Sequence, residues 1–379
     1  MRIVYCITCP ARRDVAASGG WIKMSEAHVM PSIANLLLKD ALNQNAPGNR
    51  PAFEKSRCIA AKQNKAKCDA CAVACPVHAI GRPEKGEADM EGCVGCGLCV
   101  AVCPGRAWSA PQHRYEKTAH LLADGRNVHL LGCKLAAGDV DARVWCLASL
   151  EWETVAALAL VGRVELLRGE CAQCERAACL DEFERTLERV RRFLGEERFA
   201  RRVRLLGEGE AAQRAFSRRD LFTALIPGAR SRAAQEQESA PDFGKDAMAL
   251  PRMLAWAMDR QGEGAKPFAL DMPELTQRCW ACGICARTCP TGAIAAEAQD
   301  GVWRMAVSPA LCTGCGVCAT VCPEGAVDGI GTITMAAGQR RVVYATRALS
   351  CEGCGGAVKP EEGQTRCLRC RVKNQKKRP

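Results

Sequence analysis

Large aromatic side chains are scarce. They make up 5% of the 379 residues, with three tyrosines in all, although a chain this long has room for two or three domains with sizeable cores. Something other than side chains must therefore fill part of the interior. The five histidines are scattered, with His113 and His120 reading as surface residues. Neither a Ser-His-Asp pattern, a pair of catalytic carboxylates nor a Gly-rich phosphate loop is present, so the common hydrolytic and nucleotide-dependent chemistries lack their residues. No apolar run is long enough to span a membrane, and Arg12-Arg13 are not followed by a hydrophobic stretch of signal-peptide length. A secreted disulfide framework thus has little support, and the expected location is the cytoplasm.

What the chain has instead is cysteine, 27 in all. Cys279 to Val327 reads CWACGICARTCPTGAI and, after a run of apolar and polar residues, CTGCGVCATVCPEGAV. These two C-x2-C-x2-C-x3-C-P runs resemble the two-cluster bacterial ferredoxins, in which three closely spaced thiolates hold three irons of a 4Fe-4S cubane and the fourth cysteine ligates the other cubane. The resemblance implies that Cys279, Cys282, Cys285 and Cys322 hold one cluster, and Cys312, Cys315, Cys318 and Cys289 a second. Trp303, Met305 and Val307 alternate toward one face before Pro309, as a small hairpin strand should.

The pattern occurs twice. SRCIAAKQNKAKCDACAVACPVHAI precedes CVGCGLCVAVCPGRAW, so the chain is an internal repeat with a different domain between its halves. Cys93, Cys96, Cys99 and Cys103 match the run, whereas Lys65 stands where the other half needs its first cysteine. Cys58 lies upstream, and an enlarged loop brings it to the vacant corner at a modest closure cost. By the same rule Cys58, Cys68, Cys71 and Cys103 form one ligand set, and Cys93, Cys96, Cys99 and Cys75 the other. Were Cys58 turned away, a three-iron cluster or an empty site would result.

From Val128 apolar strands end in cysteine: VHLLGC, ARVWCL, then a helical EWETVAALAL, then RVELLRGECAQC. Leu180, Phe183, Leu187, Val190 and Leu194 follow at helical spacing, and RRVRLL reads as a further strand. In open α/β sheets ligands gather beyond the carboxyl ends of the strands, where Cys133, Cys146, Cys171 and Cys174 would stand. Residues 128 to 210 resemble the iron-sulfur delta subunit of methyl-viologen-reducing hydrogenases, a family that carries a 2Fe-2S cluster and passes electrons to heterodisulfide-reductase-type partners. The resemblance implies that those four cysteines are ligands, although the C-x2-C here is tighter and Cys179 is extra. The alternatives are buried free thiols and nucleophilic or disulfide chemistry at Cys171 and Cys174, which have no histidine beside them to activate a thiolate.

Near the end, C-x2-C-x12-C-x2-C is the spacing of a closed four-thiolate site. Cys351, Cys354, Cys367 and Cys370 should bind structural zinc in what looks like a zinc ribbon, with a rubredoxin-like iron as the runner-up. At the other end Cys6 and Cys9 are a lone C-x2-C that reads as incidental, and Ile33, Leu36, Leu37 and Leu42 could line a short amphipathic helix. A translation start at Met24 is a hypothesis that a native peptide containing Tyr5 would refute. Ser217 and Asp220 suggest a capping box before a polar linker, and Met248 to Met258 a short helix with Trp256 as a core anchor.

The expected fold class is α+β. Residues 1–52 form an extension, 53–118 the first dicluster module, 119–210 a small α/β domain, 211–272 a helical linker, 273–335 the second dicluster module and 336–379 the zinc ribbon with a basic tail. The formal charge of +11 counts every cysteine as neutral. Four oxidised cubanes contribute about −8 and a four-thiolate zinc site about −2, so the loaded protein is nearly neutral. Nucleic acid is not needed to explain the basic excess, and aromatic interleaving for base stacking is missing. The reading is a polyferredoxin, itself non-catalytic, that passes single electrons to a redox protein partner or among subunits of an oxidoreductase complex. A thiol-dependent redox enzyme centred on the middle domain is the alternative, and a nucleic-acid or maturation factor using the ribbon and tail is a minor third. Folding should depend on cluster assembly.

Overall fold

The computed structural model describes residues 50–62, 68–81, 85, 88–89, 91–110, 112–123, 127–137, 140–174, 177–207, 241–244, 246, 248–261, 267–335, 340–347, 349–358, 364–367 and 370–371. The readings at Cys6, Cys9, Met24 and Ile33 to Leu42, the capping box at Ser217 and Asp220, and the basic tail beyond Arg371 lie outside the described residues.

The middle of the chain forms a parallel sheet. Strands β1 (Val128–Cys133), β2 (Ala142–Val144), β3 (Arg163–Leu167) and β4 (Val203–Leu206) lie in the order β2-β1-β3-β4. β3 is buried over four of its five residues, as a strand covered on both faces should be. The covering helices follow from their sequences. α1 (Gln112–Ala123) leads into the sheet, α2 (Trp152–Val161) is buried at nine of its ten positions, and α3 (Leu180–Leu194) buries Phe183, Leu187, Val190 and Leu194 along one stripe, the i, i+4, i+7 spacing of an amphipathic helix. α4 (Glu196–Arg202) returns the chain to β4, and α5 (Ala249–Asp259) packs on α2. Trp256 of α5 is half-buried and meets Phe243 edge-on at 5.6 Å.

The dicluster modules flank this sheet. In the first, Ala52–Phe53 pairs with Trp108–Ser109, around the one-turn helices Ala70–Ala74 and Leu98–Val102. In the second, β5 (Phe268–Leu275) pairs with β8 (Val327–Met335), while β6 (Ile294–Gln299), β7 (Val302–Val307) and β9 (Arg341–Arg347) form a second antiparallel sheet in the order β9-β7-β6. Met305 and Val307 are buried with Trp303 packed against them. β9 pairs with β7, so residues 341–347, assigned from the sequence to the ribbon segment 336–379, join this module's second sheet. Leu349–Ser350 and Ala357–Val358 close a small hairpin beyond it.

Aromatic and charged contacts fasten the second module to α3 and α4. Phe193 stacks on Phe268 at 5.0 Å, Trp152 meets Phe193 edge-on at 5.4 Å, and the Arg198 guanidinium covers Phe268 at 4.5 Å. Among the described residues no helix is long and apolar enough to cross a membrane.

Candidate iron-sulfur and metal centres

Each Cys-x2-Cys-x2-Cys run turns into a one-turn helix. Gly97, Gly283 and Gly316 cap Leu98–Val102, Ile284–Thr288 and Val317–Val321 at φ of +79°, +70° and +70°, a left-handed state that glycine enters without a Cβ clash. In the aberrant half of the first module Asp69 takes that place, at φ −127°. Downstream of each run the chain repeats Cys-Pro-x-x-Ala. The residue before each alanine has positive φ (His78 +50°, Arg106 +52°, Gly292 +69°, Gly325 +55°). That turn aims an N–H at sulfur: Ala79 donates to Cys75 Sγ at 3.3 Å, Ala107 to Cys103 Sγ at 3.2 Å and Ala326 to Cys322 Sγ at 3.2 Å. Cys289 meets the Thr291 hydroxyl at 3.6 Å. Hydrogen bonds to ligand sulfur are one of the levers on cluster potential.

The thiols of each module lie near one another in groups. Burial pushes the Cys68 thiol up to about 12, with Cys103, Cys71 and Cys58 adding to it, and pushes Cys71 up to about 11, again with Cys103 and Cys58 adding. Cys58 is itself buried and lies near Cys68 and Cys71 despite the altered spacing. Burial raises Cys99, followed by Cys96 and Cys93 and then Cys71 and Cys75. In the second module burial brings Cys285 to about 12, with Cys282, Cys279 and Cys322 around it, and Cys312 to about 12, with Cys315 and Cys289 beside it. Cys318 is raised by burial, then by Cys315, Cys312 and Cys285. Thiols that oppose one another's ionisation need positive charge among them before all can be thiolates. Irons supply that charge, and soft sulfur donors with N–H support fit them.

Neighbouring sets touch in sequence. Cys99 faces Cys71 within the first module and Cys318 faces Cys285 within the second. Between modules, Thr313 Oγ1 donates to the Pro104 carbonyl at 2.7 Å. Thr313 lies between Cys312 and Cys315, and Pro104 follows Cys103, so the Cys58 and Cys312 sets adjoin.

The middle-domain cysteines converge as well. Cys133 ends β1, Cys146 follows β2, and Cys171 and Cys174 lie on the turn after β3, all at the carboxyl end of the sheet where the strand order reverses, the ligand position of open α/β sheets. They line one cleft with Arg168. The Gly169 N–H donates to Cys133 Sγ at 3.3 Å, and Arg143 donates to the Cys133 carbonyl at 2.9 Å. Burial raises Cys171, with Cys133 next, against a lowering by Arg168. Cys179, left without a role by the spacing, lines the same cleft. The neighbouring Cys146 and Cys96 thiols, and then burial, push its thiol up.

The C-terminal set differs in scale. The sulfurs of Cys351, Cys354, Cys367 and Cys370 all lie within 4.8 Å of one another, and among the described residues no other His/Cys/Asp/Glu group is as tight. Such spacing suits a single tetrahedral ion with metal–sulfur bonds of about 2.3 Å, whereas the wider sets leave room for a cluster. N–H donors from Cys367 at 3.2 Å and Gly353 at 3.4 Å hold the Cys351 thiol down to about 6.

Residues 66–107 and 278–326 each match the family described as the 4Fe-4S dicluster domain. No curated protein and no solved structure matches the chain. The matched segments cover roughly a quarter of the sequence and coincide with the repeated cysteine runs. The chain is an iron-sulfur protein of polyferredoxin-like construction, built on a repeated dicluster domain.

Proposed function

We propose that the chain relays single electrons within a larger cytoplasmic oxidoreductase and holds four 4Fe-4S clusters, a 2Fe-2S cluster and one zinc. The cubane ligands would be the four sets led by Cys58, Cys93, Cys312 and Cys279. Cys133, Cys146, Cys171 and Cys174 would hold the 2Fe-2S cluster, and Cys351, Cys354, Cys367 and Cys370 the zinc. The observation that carries the reading is the convergence of all these thiols, set beside set. Bound clusters supply one-electron exchange with no bond made or broken. The protein's own part is to fix the thiolates, aim N–H groups at sulfur and exclude water.

A redox protein partner would reach the ends of the row. Cys171 and Cys174 at one end, and Cys279 and Cys282 at the other, are only half-buried, and Leu135 beside the middle-domain cleft is exposed. The thiol-enzyme reading has less support, because an activated nucleophile needs a lowered thiol pKa and Cys171 is raised.

The test is iron, acid-labile sulfide and zinc per chain on anaerobically purified protein, with EPR of the dithionite-reduced form. About eighteen irons and one zinc are expected; about sixteen would leave the middle domain without a cluster. A value near eight after careful reconstitution would refute the duplicated dicluster reading.

A further inference from the structure

A cleft opens where the first dicluster module meets the parallel sheet. α1 turns one face to it, Arg114, Lys117, Thr118 and Leu121 at the i, i+3, i+4, i+7 spacing of neighbours along a helix. Opposite lies β2, the edge strand of the sheet, with Ala142, Arg143 and Val144. Leu131 of β1 and Leu158 of α2, both buried, add apolar wall, and the Gly95-Cys96-Gly97 turn of the first module lines the cleft as well. The space measures about 260 Å³, room for about nine waters, whereas packed interiors leave few voids larger than one. Apolar walls with a few polar groups at this scale are the mark of a small-molecule site.

The walls also select the ligand. Arg114, Lys117 and Arg143 line the cleft, with no carboxylate among its described lining residues. Glu151 neutralises Arg114 at 2.8 Å. Arg143 donates to the carbonyls of Cys133 and Ala136 at 2.9 and 2.7 Å, partners that hold the guanidinium without cancelling its charge. Lys117 and Arg143 are both exposed, so the positive charge stands where the cleft meets solvent, while Leu131, Leu158 and the Thr154 hydroxyl lie deeper. Half-buried Trp145 lines this cleft and the middle-domain thiol cleft alike. We propose that the cleft binds a small aromatic anion, its ring among Leu121, Leu131, Leu158 and Trp145 and its carboxylate, sulfonate or phosphate group met by Lys117 and Arg143. Such a ligand lies against Cys96 and across Trp145 from the middle-domain thiols. Its binding needs only the fold and so stands apart from the iron-sulfur reading.

The test is isothermal titration calorimetry of naphthalene-2-sulfonate into the full chain, purified anaerobically. One probe should bind per chain. 2-Naphthol has the ring without the sulfonate and methanesulfonate the sulfonate without the ring, and each should bind at least about tenfold more weakly. Lys117→Gln should weaken the probe about three- to fivefold and Lys117→Glu further, as expected for one charge at an exposed position, and Lys117→Arg should keep wild-type affinity. Val144→Trp, which fills the cleft, should abolish binding with the far-UV circular dichroism unchanged. No binding of naphthalene-2-sulfonate up to its solubility limit would overturn the proposal. So would 2-naphthol binding as tightly as the sulfonate, or equal affinity in wild type, Lys117→Gln and Lys117→Glu. Undiminished binding to folded Val144→Trp would put the probe elsewhere on the chain and overturn it too.

Discussion

Glu153 offers the sharpest test of how the first dicluster module is held. Its side chain is 2% exposed on α2 and pairs with Arg106, the positive-φ residue three positions after Cys103. Arg189, whose guanidinium lies 4.6 Å above Trp152, also faces Glu153, then Asp271 and, unfavourably, Arg106. Removing Glu153 therefore leaves the buried Arg106 and the half-buried Arg189 guanidinium groups opposed, whereas removing Arg106 leaves Glu153 still facing Arg189. Breaking a buried pair by deleting one partner costs about 3–5 kcal/mol, and Glu153→Gln should fall in that range with Arg106→Gln below it. With a urea dependence of roughly 2 kcal/mol per molar, a loss of about 4 kcal/mol lowers the unfolding midpoint by about 2 M. The assay is anaerobic urea unfolding of the loaded protein, read by bleaching of iron-sulfur absorbance and by far-UV circular dichroism. An Arg106→Gln midpoint at or below that of Glu153→Gln would refute the reasoning.

Three further outcomes are expected. Cys58→Ala should lose about one iron per chain and give a three-iron EPR signal before reduction, since Cys68, Cys71 and Cys103 remain; an unchanged iron count would remove Cys58 from the ligands. Gly97→Ala should destabilise by about 1–3 kcal/mol and shed iron from the Cys93 set, because its φ is +79° and a Cβ there would stand 2.8 Å from Ser149 Cβ, whereas Gly292→Ala, at +69° with open space around it, should cost about 1 kcal/mol. Equal losses in urea unfolding would contradict this. Zinc affinity at the C-terminal set should fall with falling pH, since ligand thiols must lose their protons. Cys351, held down to about 6, is already a thiolate at neutral pH, whereas Cys370, pushed up to about 12 by its hydrogen bond with Cys354 and then by burial, releases a proton on binding. The dependence should therefore steepen by one proton as pH drops through about 6, and a flat profile in chelator competition would count against a four-thiolate site.

The parts of this molecule readable from sequence are those encoded by local spacing. Cysteine runs with their prolines mark the dicluster halves, and apolar runs such as VHLLGC and RVELL mark β1 and β3. What spacing could not convey is how separate stretches meet. The charges in EWETVAALAL suggest a solvated face, yet Glu151 and Glu153 are buried because Arg114 and Arg106 arrive from the first module, Arg114 donating to Glu151 Oε2 at 2.8 Å. β9 has alternating residues that would suit any two-stranded ribbon, and only the edge of β7 opposite β6 decides its partner. Cys179 has no spacing rule at all. Its signal was a surplus cysteine just ahead of an amphipathic helix, which marks a position without naming the sulfurs it meets.

α3 gives these separate meetings a common cause. Its N-cap is Cys179, which lies beside Cys146 of the middle domain and Cys96 of the first module. Its central stripe, Phe183 to Phe193, packs into the core those two share. Toward its end Arg189 and Arg192 reach Asp271 of β5 at 3.6 and 3.4 Å. Asp271 in turn accepts from Thr332 at 3.4 Å and stands close enough to Cys312 to help raise its thiol. A carboxylate beside a ligand sulfur disfavours added negative charge there, and the two arginines offset it only while the second module is docked. Loosening the module would expose the Cys312 set to an uncompensated Asp271 and make its reduction harder. The contact that seats the second module against α3 is thus also one that sets how readily its nearest centre takes an electron.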